Sequence, residues 1–393
     1  MIQLKDKKHC CGCYACASRC PEQCITMEED HEGFLYPRIN IKKCNDCGLC
    51  ELVCPVINRI LKAKTTSKIF ACKNKDDKIR MYSSSGGIFT LLAESVLRQN
   101  GVVFGARFEP DFSVVHDFTE TKEGLAVFRG SKYLQSRIGD NYIKAEQFLK
   151  QGRRVLFSGT PCQIAGLKQF LRNNFENLLA MDFVCHGVPS PKVFRLYIKE
   201  LNRQQQGTAE KIQFRNKAEG WKKYSFEIRR KVGKNSVSYR ETLDDNIYLR
   251  GFLSNLYLRP SCHACPSKNF TSGSDLTIGD YWGIQEVNQK FDDGLGCSLV
   301  LCNSPVGEQI FEEVMKKTIS LETAIDKASF CNPCITESVA PHQNREKFFE
   351  KIGTQPITQL ILQLLQQPEP YHKRSIKQKI YYFLRQAKIV LLQ

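Results

Sequence analysis

Short runs of hydrophobic residues alternate with polar ones along most of the chain, and their spacing predicts a mixed α/β fold. Residues 88–97 carry apolar side chains at helical spacing, directly after serines that can cap a helix. Three stretches rich in β-forming residues between positions 211 and 241 predict an antiparallel meander. Strands are predicted at 102–108, 112–118, 155–157, 178–184, 276–278 and 299–301, and further helices at 163–171 and 307–317.

The N-terminal part of the chain has a different composition. Residues 1–57 are rich in cysteine, and positions 10–21 recur in pattern at 44–55. A basic stretch at 58–68 then predicts an exposed linker. Residues 69–345 are predicted to be the α/β domain that follows it.

The C-terminal part, residues 346–393, is predicted to be a basic helical tail. Positions 357–365 are amphipathic, Pro368 and Pro370 interrupt the pattern, and lysines and arginines then accompany a hydrophobic side. Such a segment can lie on a membrane surface or a partner. A peripheral helix packed on the protein is the favoured interpretation.

The composition of the chain predicts its cellular location and the kind of chemistry that its cysteines perform. The 393 residues suffice for two or three domains, and 19 of them are cysteine. Residues 1–9 are polar, unlike a signal peptide, and no apolar run approaches the roughly 18 residues of a membrane span. A cytoplasmic protein is therefore predicted, in which clustered cysteines indicate metal or redox chemistry rather than disulfides.

The net charge of +16 has several interpretations. A merely solvated basic surface is favoured, and attraction of an acidic electron carrier such as a ferredoxin comes next. Membrane-surface or nucleic-acid binding stays open, although no nucleic-acid module is recognisable.

The N-terminal cysteines follow the spacing of bacterial ferredoxins twice, as two Cys-x2-Cys-x2-Cys-x3-Cys-Pro runs. In this pattern three close cysteines hold one [4Fe–4S] cluster, and the fourth cysteine of each run ligates the other cluster. The first cluster is predicted on Cys10, Cys13, Cys16 and Cys54, and the second on Cys44, Cys47, Cys50 and Cys20. Zinc ribbons also use CxxC pairs but do not explain two full runs. Cys11 and Cys24 are left over and are predicted to be buried thiols.

Four further cysteines, Cys162, Cys185, Cys262 and Cys265, lie where loops follow predicted strands. Strand ends at one edge of an α/β sheet converge, so these residues could form one site. From the residues alone, structural thiols remain the favoured alternative to a third cluster.

Two polar stretches could hold a phosphate-bearing ligand. A Ser-Ser-Ser-Gly-Gly turn at 83–87 opens a predicted helix, whose free N–H groups and dipole suit a phosphate. The stretch 129–136 adds a cation, an aromatic ring and hydrogen-bonding groups, which suit a flavin. Ordinary capping and an ordinary polar loop are the alternatives.

Five motifs in this order resemble the beta-subunit family of F-420 (8-hydroxy-5-deazaflavin) hydrogenases and dehydrogenases. They are the SSSGG turn, GSKYLQS, SGTPCQ, VCHGVPSP, and the Cys262/Cys265 pair followed by IGDYWG. The resemblance covers roughly residues 69–345. It implies FAD and a third [4Fe–4S] cluster on Cys162, Cys185, Cys262 and Cys265, with FAD near Ser85, Gly86, Gly87, Lys132, Tyr133 and Ser136.

The motifs are most similar to family members associated with polysaccharide synthesis, and nothing in the residues indicates use of the deazaflavin coenzyme. Cys72, Cys297 and Cys302 have no role in this scheme. Cys331 and Cys334 could bind a metal, but structural thiols are favoured for them.

The resulting hypothesis is an iron–sulfur flavoprotein oxidoreductase that passes electrons between a one-electron carrier and a two-electron substrate. Proton donors near the flavin are predicted among His186, Asp280 and Tyr281, with His186 first because imidazole titrates near neutrality. The alternatives are an electron-transfer subunit without its own substrate site, and an iron–sulfur protein without flavin.

Overall fold

The structure is a computed structural model that describes residues 1–60 and 68–366. Its strands form a two-stranded, a three-stranded and an eight-stranded sheet. The strands are β1 (Ile25–Glu29), β2 (Leu35–Ile39), β3 (Lys68–Asn74), β4 (Val102–Phe108), β5 (Val114–Thr119), β6 (Val155–Gly159), β7 (Leu178–Phe183), β8 (Thr208–Asn216), β9 (Ser225–Val232), β10 (Asn235–Thr242), β11 (Leu276–Asp280), β12 (Ser298–Cys302) and β13 (Thr318–Thr323).

The eight-stranded sheet has the order β13-β3-β12-β11-β7-β6-β4-β5. Its central strands β4, β6, β7 and β11 are mutually parallel, whereas β5, β12, β3 and β13 pair antiparallel with their neighbours. The carboxyl ends of the four parallel strands therefore meet at one edge, where ligand sites of α/β sheets commonly lie.

The helices are short, and several begin with the same signal. They are α1 (Ala15–Arg19), α2 (Leu49–Leu52), α3 (Asp77–Met81), α4 (Ile88–Arg98), α5 (Asn141–Lys150), α6 (Pro161–Leu171), α7 (Pro191–Gln204), α8 (Ile247–Leu253), α9 (Ile284–Val287), α10 (Pro305–Met315), α11 (Ile325–Phe330), α12 (Arg345–Lys351) and α13 (Ile357–Leu365). A hydroxyl residue followed by proline opens α6, α7 and α10. The hydroxyl accepts a backbone N–H of the first turn, and proline suits the first helical position because its missing N–H has no partner there.

Both faces of the large sheet are covered by helices. Leu156 and Leu179 face a core shared with α4 and α10, while Val155 and Phe157 face a second core shared with α5 and α6. This alternation follows from the two-residue period of a strand. It explains why β6 and β7 are apolar on both sides.

The three-stranded sheet β10-β9-β8 and the helices α7, α8, α12 and α13 enclose the largest hydrophobic core. The side chains of α13 that enter this core are Ile357, Leu360, Ile361 and Leu364. The segment 357–365 is therefore a packed helix, as favoured from the sequence. Residues 367–393 of the predicted tail, and residues 61–67 of the predicted linker, lie outside the described residues.

The N-terminal module is built into the same core. Phe34 is fully buried there and contacts Phe349 of α12, with ring centroids 6.5 Å apart. Beside them the buried Glu32 carboxylate accepts two hydrogen bonds from Arg345, at 3.1 and 2.5 Å. The module is thus fixed to the α/β domain by contacts with the far end of the chain.

The strands and helices predicted between residues 88 and 317 are confirmed, including the 102–108 and 112–118 pair (β4 and β5) and the meander (β8–β10). Within the described residues, the structure contains no helix long and apolar enough to span a membrane.

Candidate functional site

The eight cysteines of the two ferredoxin-type runs line two pockets in the N-terminal module. One pocket is bordered by Cys10, Cys13, Cys16 and Cys54, and the other by Cys20, Cys44, Cys47 and Cys50. Each pocket thus takes three cysteines from one run and the fourth from the other run. An all-cysteine donor set in this crossed arrangement fits two [4Fe–4S] clusters.

The backbone of the two runs repeats as the sequence does. Gly12 and Tyr14 have positive φ (67° and 69°), and so do the equivalent Asp46 and Gly48 (54° and 73°). Helices α1 and α2 begin directly after the second of these positions. Positive φ at Tyr14 and Asp46 costs about 1–2 kcal/mol each, which indicates that the loop conformation itself is required at this site.

The third set of cysteines also comes together. Cys162 lies in the first turn of α6, Cys185 follows β7, and Cys262 and Cys265 lie in and after the 3-10 turn Pro260–Ala264. Burial raises the pKa of the Cys185 thiol, and its neighbours Cys262, Cys162 and Cys265 also influence it. The loops after two parallel strands thus meet the Cys262/Cys265 turn, which is the convergence that the sequence left open.

Hydrogen bonds fix the individual members of this third set. Thr160 Oγ1 lies 3.2 Å from Cys162 Sγ, and the Val188 N–H donates to Cys262 Sγ at 3.4 Å. Burial raises the pKa of Cys262 to about 12 and that of Cys265 to about 11. Buried thiols that lie close together stay neutral in the absence of a metal. They can act as ligands when a metal ion compensates the negative charge of the thiolates.

The first pocket and the third cysteine set adjoin each other. The thiols of Cys11 and Cys162 are near enough to each other that each influences the pKa of the other. Next to them, a Cβ added at Gly166 of α6 would lie 2.9 Å from Cys13 Cβ and 3.0 Å from its Sγ. The loop that carries the first-pocket cysteines therefore rests directly on the helix that carries Cys162.

A fully buried guanidinium, Arg259, lies at the same junction. It donates to the carbonyl oxygens of Cys10 and Leu35 and to Gln135 Oε1, each at 2.9 Å. Burial alone would lower its pKa, but interactions with Cys10, Tyr36, Cys11 and Cys262 raise it. Arg259 thus places a positive charge between the two cysteine sites. No sequence motif marks it, since nothing local distinguishes it from a surface arginine.

The remaining cysteines differ in their surroundings. Cys11 and Cys24 are buried, with Cys24 Sγ 3.3 Å from Cys20 Sγ, and Cys72, Cys297 and Cys302 lie in the hydrophobic cores. Across the part of the chain that the structure describes, no three His, Cys, Asp or Glu side chains lie close enough together to hold a single metal ion. The cysteine pockets described above are therefore matched to clusters of several iron atoms and not to one ion.

The two stretches predicted to bind a flavin meet, because the Ser131 N–H donates to Ser84 Oγ at 2.7 Å. Their polar groups, however, already bind protein atoms. Ser85 Oγ donates to the Cys297 carbonyl, the Gly86 N–H to Ser298 Oγ, and Lys132 Nζ to the carbonyls of Val127 and Arg129. Burial lowers the pKa of Lys132 to about 7.

Gly87 and Ser136 occupy other places. Gly87 immediately precedes α4, and its carbonyl oxygen accepts a hydrogen bond from the Asn74 side chain. Ser136 Oγ accepts a hydrogen bond from Gln163 Nε2 at 3.0 Å, beside the start of α6. The six residues therefore fit a flavin only in part: the stretches are adjacent, but the groups meant for phosphate are engaged within the protein.

Asp280 at the end of β11 is the centre of a polar and aromatic cluster. Arg215 donates to both its carboxylate oxygens at 2.8 and 3.2 Å, and Trp221 Nε1 donates to one of them at 2.8 Å. Arg215 also donates to Tyr133 Oη at 3.2 Å. The rings of Trp221 and Trp282 are stacked 4.7 Å apart. Tyr133, predicted as a flavin ligand, and Asp280 are thus joined through Arg215.

His186 lies on the other side of Phe252, whose ring contacts both His186 and Tyr133, at 5.2 and 4.8 Å between centroids. Its Nε2 is 2.6 Å from Asn255 Oδ1, and burial lowers the pKa of the imidazole. Tyr281 is buried in the hydrophobic core that also contains Trp221, and its hydroxyl lies 3.0 Å from Thr323 Oγ1. Of the three predicted proton donors, Asp280 is at the centre of the cluster, His186 borders it through Phe252, and the hydroxyl of Tyr281 is engaged by Thr323.

Comparisons with known proteins match two parts of the chain to protein families. Residues 9–58 match the family model of the 4Fe-4S dicluster domain. Residues 152–327 match the family model for the C terminus of the beta subunit in coenzyme F420 hydrogenase/dehydrogenase. The resemblance stated from the motifs is thereby confirmed.

Two individual proteins are similar over different extents. NADH-quinone oxidoreductase subunit I 2 of Geobacter metallireducens is 42% identical over 56 residues, which are 13% of this chain and 43% of the relative. The chain therefore spans less than half the length of this curated relative. A chain of the F420-reducing [NiFe] hydrogenase complex from Methanosarcina barkeri aligns with 76% of this chain and 94% of its own, at 16% identity and a TM-score of 0.46.

Proposed function

We propose a function from one premise: residues 152–327 belong to the C-terminal family of coenzyme F420 hydrogenase and dehydrogenase beta subunits, and residues 9–58 are a 4Fe-4S dicluster domain. The chain is an iron–sulfur oxidoreductase component that carries electrons between the N-terminal module and the α/β domain. When bound, [4Fe–4S] clusters supply reversible one-electron transfer.

The close approach of Gly166, in the helix that carries Cys162, to Cys13 of the first pocket carries this proposal. It supports a third cluster, on Cys162, Cys185, Cys262 and Cys265, next to the one on Cys10, Cys13, Cys16 and Cys54. Gly166 permits the close approach, and Arg259 supplies a charge that favours the reduced, more negative state of both sites.

The second pocket is the proposed point of entry for electrons. Cys47 is exposed there, and Lys42 and Lys43 are exposed beside it. A one-electron carrier with an acidic surface would be attracted to this side of the module. The net charge of +16 supports the same partner class.

We also propose that the α/β domain binds FAD, because a flavin can join one-electron carriers to a two-electron substrate. The meeting of Ser84 with Ser131 supports it, and the engaged groups of Ser85, Gly86 and Lys132 weigh against it. His186 is the predicted proton donor, and the engagement of its Nε2 by Asn255 weighs against this role. Asp280 accepts three hydrogen bonds and is assigned instead to hold Arg215 and Trp221 in place. A role in polysaccharide synthesis is proposed only by analogy with family members.

The test is the content of iron, acid-labile sulfide and flavin in protein purified without oxygen. Three clusters predict about 12 iron atoms per chain, and Cys162→Ser should lower this to about 8. Cys302→Ser is the matched control, since Cys302 is buried in a hydrophobic core. About 8 irons in the unmodified chain would refute the third cluster, and absence of flavin would refute FAD. Turnover by the isolated chain separates an enzyme from an electron-transfer subunit whose substrate binds elsewhere.

A further inference from the structure

A pair of cysteines outside the three sets described above lies next to His186. Cys331 and Cys334 belong to a Cys-Asn-Pro-Cys segment that follows α11 and ends in the 3-10 turn Pro333–Ile335. Both cysteines are partly exposed, and Pro333 between them is exposed. Two cysteines separated by two residues are close enough in sequence for a small disulfide ring, and this spacing is typical of redox-active dithiols.

Cys334 has a base within hydrogen-bonding reach. Its Sγ lies 3.8 Å from His186 Nδ1, and the opposite ring nitrogen, Nε2, lies 2.6 Å from Asn255 Oδ1. The amide oxygen of Asn255 can only accept, so it selects the tautomer with a proton on Nε2 and leaves Nδ1 as an acceptor. A thiol, an imidazole and a third group that orients the imidazole are the arrangement of an activated sulfur nucleophile.

Cys331 is held in a different way. A Cβ at Gly283 would lie 2.6 Å from Cys331 Sγ, so this thiol occupies the space that the glycine leaves open. Between the two cysteines, the buried Asn332 donates to the carbonyls of Ala328 and Trp282, at 2.9 and 3.3 Å. The segment is therefore fixed against the loop after β11, and its two sulfurs have unequal surroundings.

Lys268 fixes the segment from the other side. Its ammonium donates to the carbonyl oxygen of Cys334 at 2.6 Å and also to that of Cys185. Burial raises the pKa of the Cys334 thiol, and Lys268 opposes the rise. The backbone of Cys334 is thus held in place by Lys268, with its sulfur beside His186 Nδ1.

We propose that Cys331 and Cys334 are a redox-active dithiol that exchanges with a disulfide co-substrate, with Cys334 as the attacking sulfur and Cys331 as the resolving one. This activity lies beyond the proposed electron transfer. It uses only the two thiols and the external disulfide, so it does not depend on the iron–sulfur groups.

The exchange is balanced in two steps. Cys334 sulfur attacks one sulfur of R–S–S–R, the S–S bond breaks, and the first R–S group leaves with the Cys334 proton as R–SH. Cys331 sulfur then attacks Cys334 sulfur, and the second R–S group leaves with the Cys331 proton. The co-substrate is reduced to two thiols, and the chain is oxidised by two electrons to an intrachain disulfide.

The experiment uses the full chain, purified without oxygen and equilibrated with mixtures of reduced and oxidised glutathione. After alkylation and denaturation, trypsin cleaves after Lys327 and Arg345 and releases residues 328–345, which contain these two cysteines and no other. The proposal expects one transition, from a doubly alkylated peptide to an unalkylated one lighter by two hydrogen atoms than the free dithiol. A peptide that stays doubly alkylated at every ratio would overturn it.

Single variants assign the roles. Cys331→Ser should accumulate a glutathione adduct on Cys334, about tenfold more than Cys334→Ser accumulates on Cys331. Equal adducts in both variants would contradict the assignment of the attacking sulfur. Cys302→Ser is the control and should oxidise as the unmodified chain does. Thermal unfolding of each variant shows that the fold is retained, and unchanged iron content separates this result from the test of the proposed function.

Discussion

Arg259 Nε donates to the carbonyl oxygen of Cys10 at 2.9 Å, across a sequence separation of 249 residues. The same guanidinium binds Leu35 and Gln135, and it lies 4.3 Å from the centre of the Tyr36 ring. One buried side chain thus joins the N-terminal module to the turn that carries Cys262. Its removal should affect both stability and redox properties.

Replacement of Arg259 by methionine should lower the free energy of unfolding by about 3–5 kcal/mol, because buried acceptors lose their donor. It should also move the midpoint potential of the cluster at Cys10 to a more negative value, since a positive charge that favours the reduced state is gone. Arg259→Lys keeps the positive charge but loses the planar guanidinium with its several donors. Its midpoint potential should therefore be closer to that of the unmodified chain than its free energy of unfolding is.

The measurements are urea unfolding and a redox titration followed by electron paramagnetic resonance. Arg229→Met, at an exposed position of β9, is the control for loss of one positive charge. An unchanged potential in Arg259→Met, with cluster content retained, would show that the guanidinium has only a structural role.

The buried pair of Glu32 and Arg345 should respond as a unit. Glu32→Gln and Arg345→Met are each expected to cost about 3–5 kcal/mol, because either change leaves the other charge buried and unpaired. The double variant should cost clearly less than the sum of the two. Urea unfolding of the four proteins in this cycle checks the prediction, and additive losses would contradict the pairing.

His116 should make stability depend on pH. It is buried with Nε2 on the Ser158 carbonyl at 2.9 Å, and burial lowers its pKa to about 4. The unfolded chain takes up this proton below about 6.5, whereas the folded protein takes it up only near 4. The stabilisation is therefore complete above pH 6.5 and is lost as the pH falls towards 4, by about 2 kcal/mol at pH 5.

The comparison of His116→Gln with the unmodified chain isolates this effect. Asp182 has the opposite dependence, because burial raises its pKa from 3.8 to about 6 and its stabilisation is lost as the pH rises through that range. Since Asp182 is present in both proteins, its contribution cancels. Urea unfolding at pH 7 and pH 5 should show a smaller loss on acidification in His116→Gln. Equal losses would show that His116 does not carry the effect.

Gly166→Ala tests the contact between α6 and the first pocket. Alanine favours a helix by about 1 kcal/mol over glycine, but its Cβ would overlap Cys13. The variant should therefore lose iron from the first pocket although its helix is intrinsically more stable. Gly152→Ala should keep its iron, because an added Cβ there meets no atom within 4 Å, although the positive φ of 76° costs the variant some stability. Iron content of the two variants, each compared with its thermal unfolding, decides the prediction.

The parts of the site that could be predicted from the sequence are those set by local spacing. The two runs specify which four of their eight cysteines line each pocket, because a short loop can place three ligands around one cluster. The convergence of Cys162 and Cys185 follows from parallel strands that end at one edge. Helix α7 could also have been predicted from the sequence, since Val193, Tyr197 and Leu201 recur at helical spacing and Ser190-Pro191 precedes them.

The parts beyond prediction depend on contacts between distant segments. Arg259, Arg215 and Arg345 have no local pattern that separates them from the many surface arginines of a basic chain. Lys132 looks free to bind a phosphate, but two nearby carbonyls engage its ammonium. The Cys334–His186–Asn255 arrangement joins three loops, and only the folded chain reveals it.

The ion pair of Glu32 and Arg345 also has a consequence for biosynthesis. Arg345 is synthesised 313 residues after Glu32. During translation the N-terminal module leaves the ribosome first, yet the residues that receive Glu32 and Phe34 come from α12, close to the end of the described chain. Contacts of such high sequence separation form late. The position of the module on the α/β domain is therefore secured only after the chain has been made as far as α12, and a fragment released before that point would expose Glu32 without its partner.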